Sequence, residues 1–566
     1  MPTIEVDLED FQNLLGRRLP EEPEELNDLL SYVKGEVKLR LGSQLHIEVK
    51  DSNRPDIWSV EGLTRTLKGF LGIESGPKVY RVAGESGVIV YVDSRLKNIR
   101  PYIACAVIKN LELTDVTIRS LIHLQDKLDL TYGRRRRRTS IGLYDFGLIK
   151  PPLRYTVSGP CEVSFTPLGF DEELTLQEIL VRHPKGIEYG DIVRPFPVWP
   201  ILHDSENKVL SFPPIINSNT LGRVTEETEE VLVEVTGTRL ETVMNTLNIM
   251  VTSMCDRGGE TYSVEVNYPY GSDGIVVTPR FFTEKMSVEF KYLEKVLGLN
   301  LKPAEVEEML LRARFGVSSM NEEKVVVEVP FYRIDVMHPV DIIEDIAIAY
   351  GYDRILPRWS PPPTVGGLTP QREFYDLVRE LMVGLGYQEV LTFTLTNPEF
   401  MFDRMGLKRG ESIEVSNPKV MSFTHLRSWL LPSLMEFLSH NTHVDYPQKI
   451  FEVGVVVSLD EEAENRCRDV SKLACVTAHV YADFTAIKSD LNSLLRNLGL
   501  KAEYEATKHE SFIPGRVAEV IIDRKSIGVI GEINPLVLEN WGLEVPTSAF
   551  EVDLDMIFDY KKRRVF

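Results

Sequence analysis

The sequence predicts a multidomain α+β protein. The chain has 566 residues, which is too long for a single hydrophobic core and predicts three to five domains. Residues 267–280 and 356–371 are rich in Pro and Gly and mark boundaries, and the second stretch contains a triple proline that favours an extended spacer. Near the end of the chain, strand-like runs cluster around a few amphipathic helices. That arrangement is typical of an α+β domain with a largely antiparallel sheet.

A weaker break lies near residues 80–90, around AGESG, and the three breaks divide the chain into four predicted domains. Residues 1–88 are predicted as a small α+β domain, because strand-like pieces precede one helix. Residues 89–272 mix strands with a helix over LTDVTIRSLIHLQDKL, whose apolar residues recur at helical spacing. Residues 273–356 are predicted as a small helical domain, with helices over KMSVEFKYLEKVLGL and KPAEVEEMLLRARF, a strand over KVVVEVP and a further helix. Residues 365–566 form the predicted antiparallel sheet domain.

Composition narrows the classes of function. The chain has 64 Lys and Arg against 85 Asp and Glu, so its net charge of −21 repels phosphate except at local basic patches. Five scattered cysteines without a CxxC pair argue against a disulfide framework and a cysteine zinc site. The N-terminus has no apolar signal core, and no segment is long and apolar enough to span a bilayer. We therefore expect a cytoplasmic protein.

Positive charge is concentrated in the segment GRRRRRTSIGLYDF. A charge run of this kind is usually a solvated loop. The alternative is a local site for a polyanion, because the guanidinium group pairs bidentately with phosphate. Both interpretations stay open from the residues alone. The run consists of Arg134, Arg135, Arg136, Arg137 and Arg138.

Negative charge is concentrated in RIDVMHPVDIIEDIAIAYGYDRI, where a helix is predicted to start at Pro339. Asp341, Glu344 and Asp345 follow at i, i+3 and i+4 and share one helix face, and Asp335 precedes them. Acidic residues favour the first helical turn, but three on one face repel each other unless a cation or a basic partner neutralises them. Hard oxygen ligands suit Mg²⁺. A metal site and a solvated acidic face are both consistent with this spacing.

Together with NRPDIWSVEG, LRSWLLPSLM, PGRVAEV and IGVIGEINP, these segments resemble the beta subunits of phenylalanyl-tRNA synthetase, in the form found in archaea and the eukaryotic cytosol. The matching segments follow the family order along the whole chain. The resemblance implies that residues 89–272 are a tRNA-editing domain and that 273–356 are similar to nucleic-acid-binding folds. It also implies that residues 365–566 are a class II synthetase fold without catalytic activity. IGVIGEINPLV agrees with this loss, because it lacks the ATP-binding arginine of active enzymes.

The resemblance also implies partners and a cofactor. In the family, an alpha subunit uses ATP to attach phenylalanine to its tRNA, and two copies of each chain assemble. The positions that match Asp335, Asp341, Glu344 and Asp345 hold Mg²⁺, at a site tied to the complex with the alpha subunit. We therefore expect Mg²⁺ as the cofactor of this chain.

Editing has a physical rationale, because an apolar pocket rejects an added hydroxyl by only about 10²-fold. A second site that recognises the phenolic group of tyrosine can hydrolyse the mischarged ester. In relatives, the positions that match Ser211, Glu234 and Thr236 line that site. The family usually has Asp where Glu234 stands, so the charge is kept and the reach is longer. The arginine run falls in this domain and is expected to contact tRNA, with internal salt bridges or a partner surface as alternatives.

Two other functions stay open at this stage. The longer side chain of Glu234 favours a non-catalytic RNA-binding scaffold with an inactive editing pocket. The acidic segment admits an unrelated metal-dependent nuclease, although its only histidine is His338. A Tyr-tRNA deacylation assay separates the first alternative from an editing subunit.

Overall fold

A computed structural model describes residues 2–271, 274–359 and 365–565 of the chain. The boundary predicted at 272/273 and the triple proline at 361–363 lie outside the described residues. The chain divides into two compact units, Met1–Arg358 and Trp359–Phe566. Among the described helices, none is long and apolar enough to cross a membrane.

The first unit begins with a three-stranded antiparallel sheet in the order β1-β3-β2. The helix that follows begins after Ser59, whose hydroxyl accepts a hydrogen bond from the Gly62 amide at 3.2 Å. This helix and the next sheet share one hydrophobic core. The elements are β1 (Thr3–Asp7), α1 (Leu8–Leu15), α2 (Pro23–Ser31), β2 (Gly35–Leu41), β3 (Gln44–Val49) and α3 (Val60–Phe70).

A ten-stranded mixed sheet follows, in the order β12-β11-β10-β7-β4-β14-β5-β13-β6, with β15 paired to β14. Its first strand, β4, runs through the boundary predicted at 88/89. The helix predicted from LTDVTIRSLIHLQDKL is present as α4. The elements are β4 (Val82–Val92), β5 (Tyr102–Lys109), α4 (Asp115–Leu130), β6 (Thr139–Asp145), β7 (Leu153–Ser158), β8 (Ser164–Phe165), β9 (Leu174–Thr175), α5 (Leu176–Arg182), α6 (Pro184–Tyr189), β10 (Trp199–His203), β11 (Val209–Phe212), β12 (Ile216–Asn217), β13 (Val231–Gly237), α7 (Leu240–Asp256), β14 (Glu260–Asn267) and β15 (Ile275–Thr278).

The third segment differs from the predicted small helical domain, because its helices pack beside a three-stranded antiparallel sheet in the order β16-β18-β17. The helix predicted over KMSVEFKYLEKVLGL begins only at Phe290. Its first part is a strand, because Val288 alternates with exposed neighbours and enters the core. The elements are β16 (Glu284–Glu289), α8 (Phe290–Leu297), α9 (Pro303–Arg312), β17 (Gly316–Met320), β18 (Lys324–Val329) and α10 (Pro339–Tyr350).

The second unit contains the predicted largely antiparallel sheet, in the order β19-β22-β23-β27-β26-β25-β24. Helices α11, α13 and α15 contribute to one core cluster, and α12 and α14 contribute to another. The elements are α11 (Pro370–Gly384), β19 (Gln388–Glu389), β20 (Leu395–Thr396), β21 (His425–Leu426), α12 (Leu431–His440), β22 (Gln448–Leu459), β23 (Cys467–Ala478), α13 (Phe484–Asn497), β24 (Glu503–Ala506), β25 (Phe512–Ile522), β26 (Lys525–Ile533), α14 (Pro535–Asn540), β27 (Thr547–Asp553) and α15 (Leu554–Val565).

Candidate functional site

Glu234 and Thr236 lie in β13, between β5 and β6 of the ten-stranded sheet. They are two residues apart in a strand, so their side chains leave the same face of the sheet. Both side chains are buried. Glu234 pairs in register with Gly142 of β6, which places a residue without a side chain directly beside the carboxylate.

Gly142 makes room for this carboxylate. A Cβ atom at position 142 would lie 2.7 Å from Glu234 Oε2 and would collide with the Tyr144 hydroxyl. In the space that remains, the Tyr144 hydroxyl donates a hydrogen bond to Glu234 Oε2 at 2.8 Å. The glycine and the tyrosine therefore hold one oxygen of the Glu234 carboxylate in place.

The other oxygen of Glu234 has no such partner. Among the described residues, nothing hydrogen-bonds to Glu234 Oε1 or to the Ser211 hydroxyl, and both atoms are buried. Burial raises the pKa of Glu234 to about 7, although the hydrogen bond from Tyr144 and the charge of Arg100 lower it. Buried polar atoms in native proteins are nearly always satisfied, so this pair points to a ligand.

Ser211 and Glu234 line one cavity of about 160 Å³, called here the polar cavity. Ser211 comes from β11 and Glu234 from β13, strands that are far apart in the sheet order. Arg136 of the arginine run lines the same cavity. The structure therefore brings two predicted editing residues together with one predicted tRNA-binding residue. Other lining residues are Gln125, Ser140, Leu168, Lys185 and Asn217.

Thr236 lies near this cavity but does not line it. Its hydroxyl accepts a hydrogen bond from Arg100 Nε at 2.9 Å and lies 3.1 Å from the Ser140 hydroxyl. The same guanidinium donates to the Thr236 carbonyl at 2.7 Å and to the Arg136 carbonyl at 3.1 Å. Arg100 is 2% exposed, and it ties the strand of Glu234 to the arginine run. Its role was missed because the sequence around Arg100 carries no recognisable pattern.

The arginine run adopts an unusual backbone conformation. Arg134, Arg135 and Arg136 have φ angles of 50°, 53° and 62°, a left-handed region that costs non-glycine residues free energy. Backbone hydrogen bonds to the carbonyls of Thr131, Leu130 and Asp129 hold the turn. Strain held by its surroundings in this way is characteristic of functional sites.

The side chain of Arg136 is buried, which differs from the expected contact with tRNA phosphate. Its Nε lies 2.9 Å from Asp129 Oδ2, and its Nη1 donates to the carbonyls of Pro214 and Ile215 at 3.2 and 2.9 Å. The guanidinium also lies over the ring of Tyr189 at 4.6 Å. Arg136 therefore belongs to the wall of the polar cavity.

The neighbouring arginines point outward. Arg134, Arg135 and Arg137 are exposed, and Arg138 is half-buried. Arg137 pairs with Asp191, and Arg135 Nη2 lies 3.8 Å from a carboxylate oxygen of Glu188. Exposed ion pairs of this kind contribute about 0–1 kcal/mol, so a phosphate can replace them at little cost.

Two of the predicted magnesium ligands are bound by an arginine instead. Arg333 Nη2 lies 2.7 Å from Asp335 Oδ2 and 2.6 Å from Asp345 Oδ2. Burial alone would raise the pKa of Asp335, but Arg333 and Arg54 lower it to about 2. Arg54 also approaches Asp345 to 4.0 Å. Both carboxylates are buried and neutralised by the chain itself.

The other two predicted ligands point elsewhere. Asp341 Oδ2 accepts hydrogen bonds from the amides of Met337 and His338, each at 2.8 Å, at the start of α10. Glu344 pairs with Lys34 at 2.6 Å. In the described part of the chain, no three His, Cys, Asp or Glu side chains converge to hold a metal ion. The four oxygen donors suit Mg²⁺ chemically, but their arrangement in this chain does not fit one.

Two family models and one solved structure match separate parts of this chain. Residues 286–352 match the tRNA synthetase B5 domain, and residues 357–554 match the phenylalanyl tRNA synthetase beta chain CLM domain. These two domains define a subunit of an aminoacyl-tRNA synthetase. A solved N-terminal fragment of the phenylalanyl-tRNA synthetase beta subunit from Pyrococcus horikoshii is 43% identical, with a TM-score of 0.59, and the match covers 62% of this chain and all of the fragment.

Full-length relatives extend the similarity to the whole chain. The phenylalanine–tRNA ligase beta subunit of Pyrococcus furiosus is 45% identical over 568 residues, covering 99% of this chain and 100% of the relative. That of Thermofilum pendens is 39% identical, covering 98% of each. The chain belongs to the family of phenylalanine–tRNA ligase beta subunits.

Proposed function

We propose that this chain works in a phenylalanine–tRNA ligase, where it binds tRNA and removes tyrosine attached by mistake. An alpha subunit would hold ATP and phenylalanine and form the ester, in an assembly with two copies of each chain. Family membership supports the ligase part. The editing part depends on one observation: Glu234 Oε1 and the Ser211 hydroxyl are buried, lack partners among the described residues and line one cavity.

These two atoms suit the hydroxyl of a tyrosyl group. A phenol donates one hydrogen bond and accepts another, which matches a carboxylate acceptor and a serine hydroxyl. A phenylalanyl group in the same place would leave Glu234 Oε1 buried and unpaired. Sites built to bind a substrate hydroxyl reject the analogue that lacks it by about 10⁴–10⁵-fold. The polar cavity would therefore select the mischarged ester and spare the correct one.

Hydrolysis itself would use water. The described residues that line the polar cavity include no cysteine and no histidine, so we assign no side chain as a covalent nucleophile. Water attacks the ester carbonyl, the bond from the carbonyl carbon to the ribose oxygen breaks, and the ribose oxygen leaves with a proton. Tyrosine and uncharged tRNA are the products. Arg136 and Arg100 act as positioning residues that hold the wall of the cavity.

Deacylation of Tyr-tRNA and Phe-tRNA by the full chain, assembled with its partner, tests this proposal. Glu234→Gln keeps the shape and removes the charge, and a hydrogen bond to a charged group contributes about 1.5–3 kcal/mol. The preference for Tyr-tRNA should therefore fall about 10–100-fold. Glu229 is exposed just before β13, so Glu229→Gln is the matched control and should change nothing.

Two results would contradict the proposal. If Glu234→Gln keeps the full preference for Tyr-tRNA, this carboxylate does not bind the hydroxyl of the tyrosyl group. If the parent assembly releases no tyrosine at all, the chain is the non-catalytic RNA-binding scaffold instead.

Two further parts of the proposal concern the ligase. The segment from β26 to α14 carries no arginine in IGVIGEINPLV, so we propose that the chain alone catalyses no ATP–pyrophosphate exchange. We also propose that Mg²⁺ binds only in the assembled enzyme. In the chain alone, Arg333 holds Asp335 and Asp345, and both carboxylates would have to leave it before they could bind the ion. No step of the editing reaction depends on this ion.

A further inference from the structure

A second cavity adjoins the polar cavity and has a different character. It encloses about 210 Å³ and is called here the apolar cavity. Gln125, Leu168 and Asn217 line both cavities. The two cavities therefore lie side by side, with these three residues in both linings.

Apolar side chains make up most of this second lining. The residues come from one face of α4, from the loop before β13, from β13 itself, and from β6 and α7. Ile122 is 45% exposed, so the cavity opens to solvent along α4. The apolar lining residues used here are Ile118, Leu121, Ile122, Val224, Val231 and Met254.

We propose that the apolar cavity binds the adenine ring of the tRNA's terminal nucleoside while the polar cavity holds the tyrosyl group. This inference rests on the proposed editing function. The substrate has two bulky parts, an amino acid and a nucleoside, joined by a single ester. Two adjoining cavities with a common wall match two such parts, and the ester would lie beside Gln125 and Asn217.

The chemistry of the two cavities decides which part goes where. The tyrosyl hydroxyl needs polar partners, and the unpartnered Glu234 and Ser211 atoms lie in the polar cavity. A base that has left its stack is held between apolar side chains and read by hydrogen bonds at its edge. Ile118 and Leu121 supply such a surface. The apolar cavity therefore suits the base better than the phenol.

Gln125 supplies the contact that reads the edge of the base. Its Nε2 donates to the Ile141 carbonyl at 3.0 Å, which orients the carboxamide. Within the described residues its Oε1 has no hydrogen-bond donor, so it can accept from the exocyclic amine of adenine. Carboxamide side chains are the common partners of adenine. Asn217, whose Oδ1 lies 3.3 Å from the Tyr144 hydroxyl, links this wall to the carboxylate of Glu234.

Binding of adenosine and of tyrosinamide to the full chain, followed by NMR titration to millimolar concentration, tests the assignment. Ile118→Trp fills the apolar cavity and should weaken adenosine at least tenfold without changing tyrosinamide. Glu234→Gln should do the reverse. Val116 lies on the same helix, is 38% exposed and is not part of this lining. Val116→Trp is therefore the matched control and should leave both affinities unchanged.

A milder variant covers the case in which Ile118→Trp disturbs folding. Inosine carries a carbonyl where adenosine carries its amine, so the parent chain should prefer adenosine. Gln125→Leu should abolish that preference. The inference is overturned if adenosine does not bind, if Ile118→Trp weakens tyrosinamide instead, or if Gln125→Leu keeps the preference. If adenosine follows the expected pattern while Tyr-tRNA is not hydrolysed, the editing function fails and the nucleoside site stands.

Discussion

The acidic segment and the polar cavity both contain buried carboxylates, but these carboxylates differ in their partners. In the acidic segment, Arg333 neutralises both Asp335 and Asp345 at 2.6–2.7 Å. In the polar cavity, one oxygen of Glu234 is bound by Tyr144 and the other has no partner among the described residues. In the sequence, the density of acidic residues favoured the acidic segment as a ligand site. In the structure, the hydrogen-bond partners favour the polar cavity instead. The unpaired Glu234 oxygen and the unpaired Ser211 hydroxyl indicate a ligand because both residues line one cavity.

The arginine run shows the same division within five residues. Arg136 forms an ion pair with Asp129 and donates hydrogen bonds to two backbone carbonyls, and it belongs to the interior. Arg135 and Arg137 pair with exposed carboxylates. The question of whether the run is structural or binds a polyanion therefore has a separate answer for each residue.

The largest expected effect comes from removing the arginine of the acidic segment. Arg333→Ala leaves Asp335 and Asp345 buried without their main counter-charge, and breaking a buried pair in this way costs about 3–5 kcal/mol. We expect a matching loss in denaturant unfolding of the full chain. Arg358 is exposed, so Arg358→Ala serves as the control. An unchanged unfolding midpoint would show that these carboxylates do not need the arginine, and rescue by Mg²⁺ would show that they accept a cation.

For the polar cavity we expect the opposite effect on stability: removing the charged group should stabilise the chain. The folded pKa of Glu234 is about 7, above its ordinary 4.5, so ionisation of this buried group opposes folding increasingly as the pH rises from 4.5 through 7. Above pH 7 the cost is about 3 kcal/mol. Glu234→Gln does not titrate and should stabilise the chain at pH 8 by about that amount, with the gain disappearing near pH 4.5. A gain of equal size at both pH values would contradict the buried, partly unpaired carboxylate.

Much of the fold follows from local patterns. The helix start at Pro339 and the helix over α4 are confirmed, because capping preferences and apolar periodicity are short-range signals. KMSVE was wrongly predicted as helix, because its pairing with β18, which the local sequence does not show, makes it a strand.

The site was less accessible from the sequence. Arg136, Ser211 and Glu234 come from three separated segments, and no spacing rule joins them. Ser140, Gly142 and Tyr144 are spaced two residues apart in one strand, so the sequence could have placed them on one face of the sheet. Only the register with β13 shows that this face meets Glu234. Arg333 stands in the segment that suggested a metal, and its role as the neutralising group depends on how the chain enters α10.

The exposed part of the arginine run provides the third prediction. Each phosphate contact on single-stranded RNA contributes about 0.7 to the slope of log affinity against log salt. Replacing Arg134, Arg135 and Arg137 by serine should therefore lower the slope for tRNA by up to about two, with no change in stability. Arg136→Ser is the contrast, because it should lower the unfolding midpoint. A triple variant with an unchanged slope would assign the outer arginines to protein contacts.

The smallest expected effect sharpens the comparison most. Asp341 and Glu344 do not contact Arg333: Asp341 caps α10 and Glu344 pairs with Lys34 near the surface. The loss of a cap costs about 1 kcal/mol and an exposed pair about 0.2–1 kcal/mol, so Asp341→Ala with Glu344→Ala should destabilise the lone chain by only about 1–2 kcal/mol. If the acidic segment holds Mg²⁺ in the assembled enzyme, the same double variant should lose Mg²⁺-dependent association with the alpha subunit, measured by co-purification at matched Mg²⁺ concentrations. Full association would leave the acidic segment as an ion-pair network and the polar cavity as the stronger ligand site of the two.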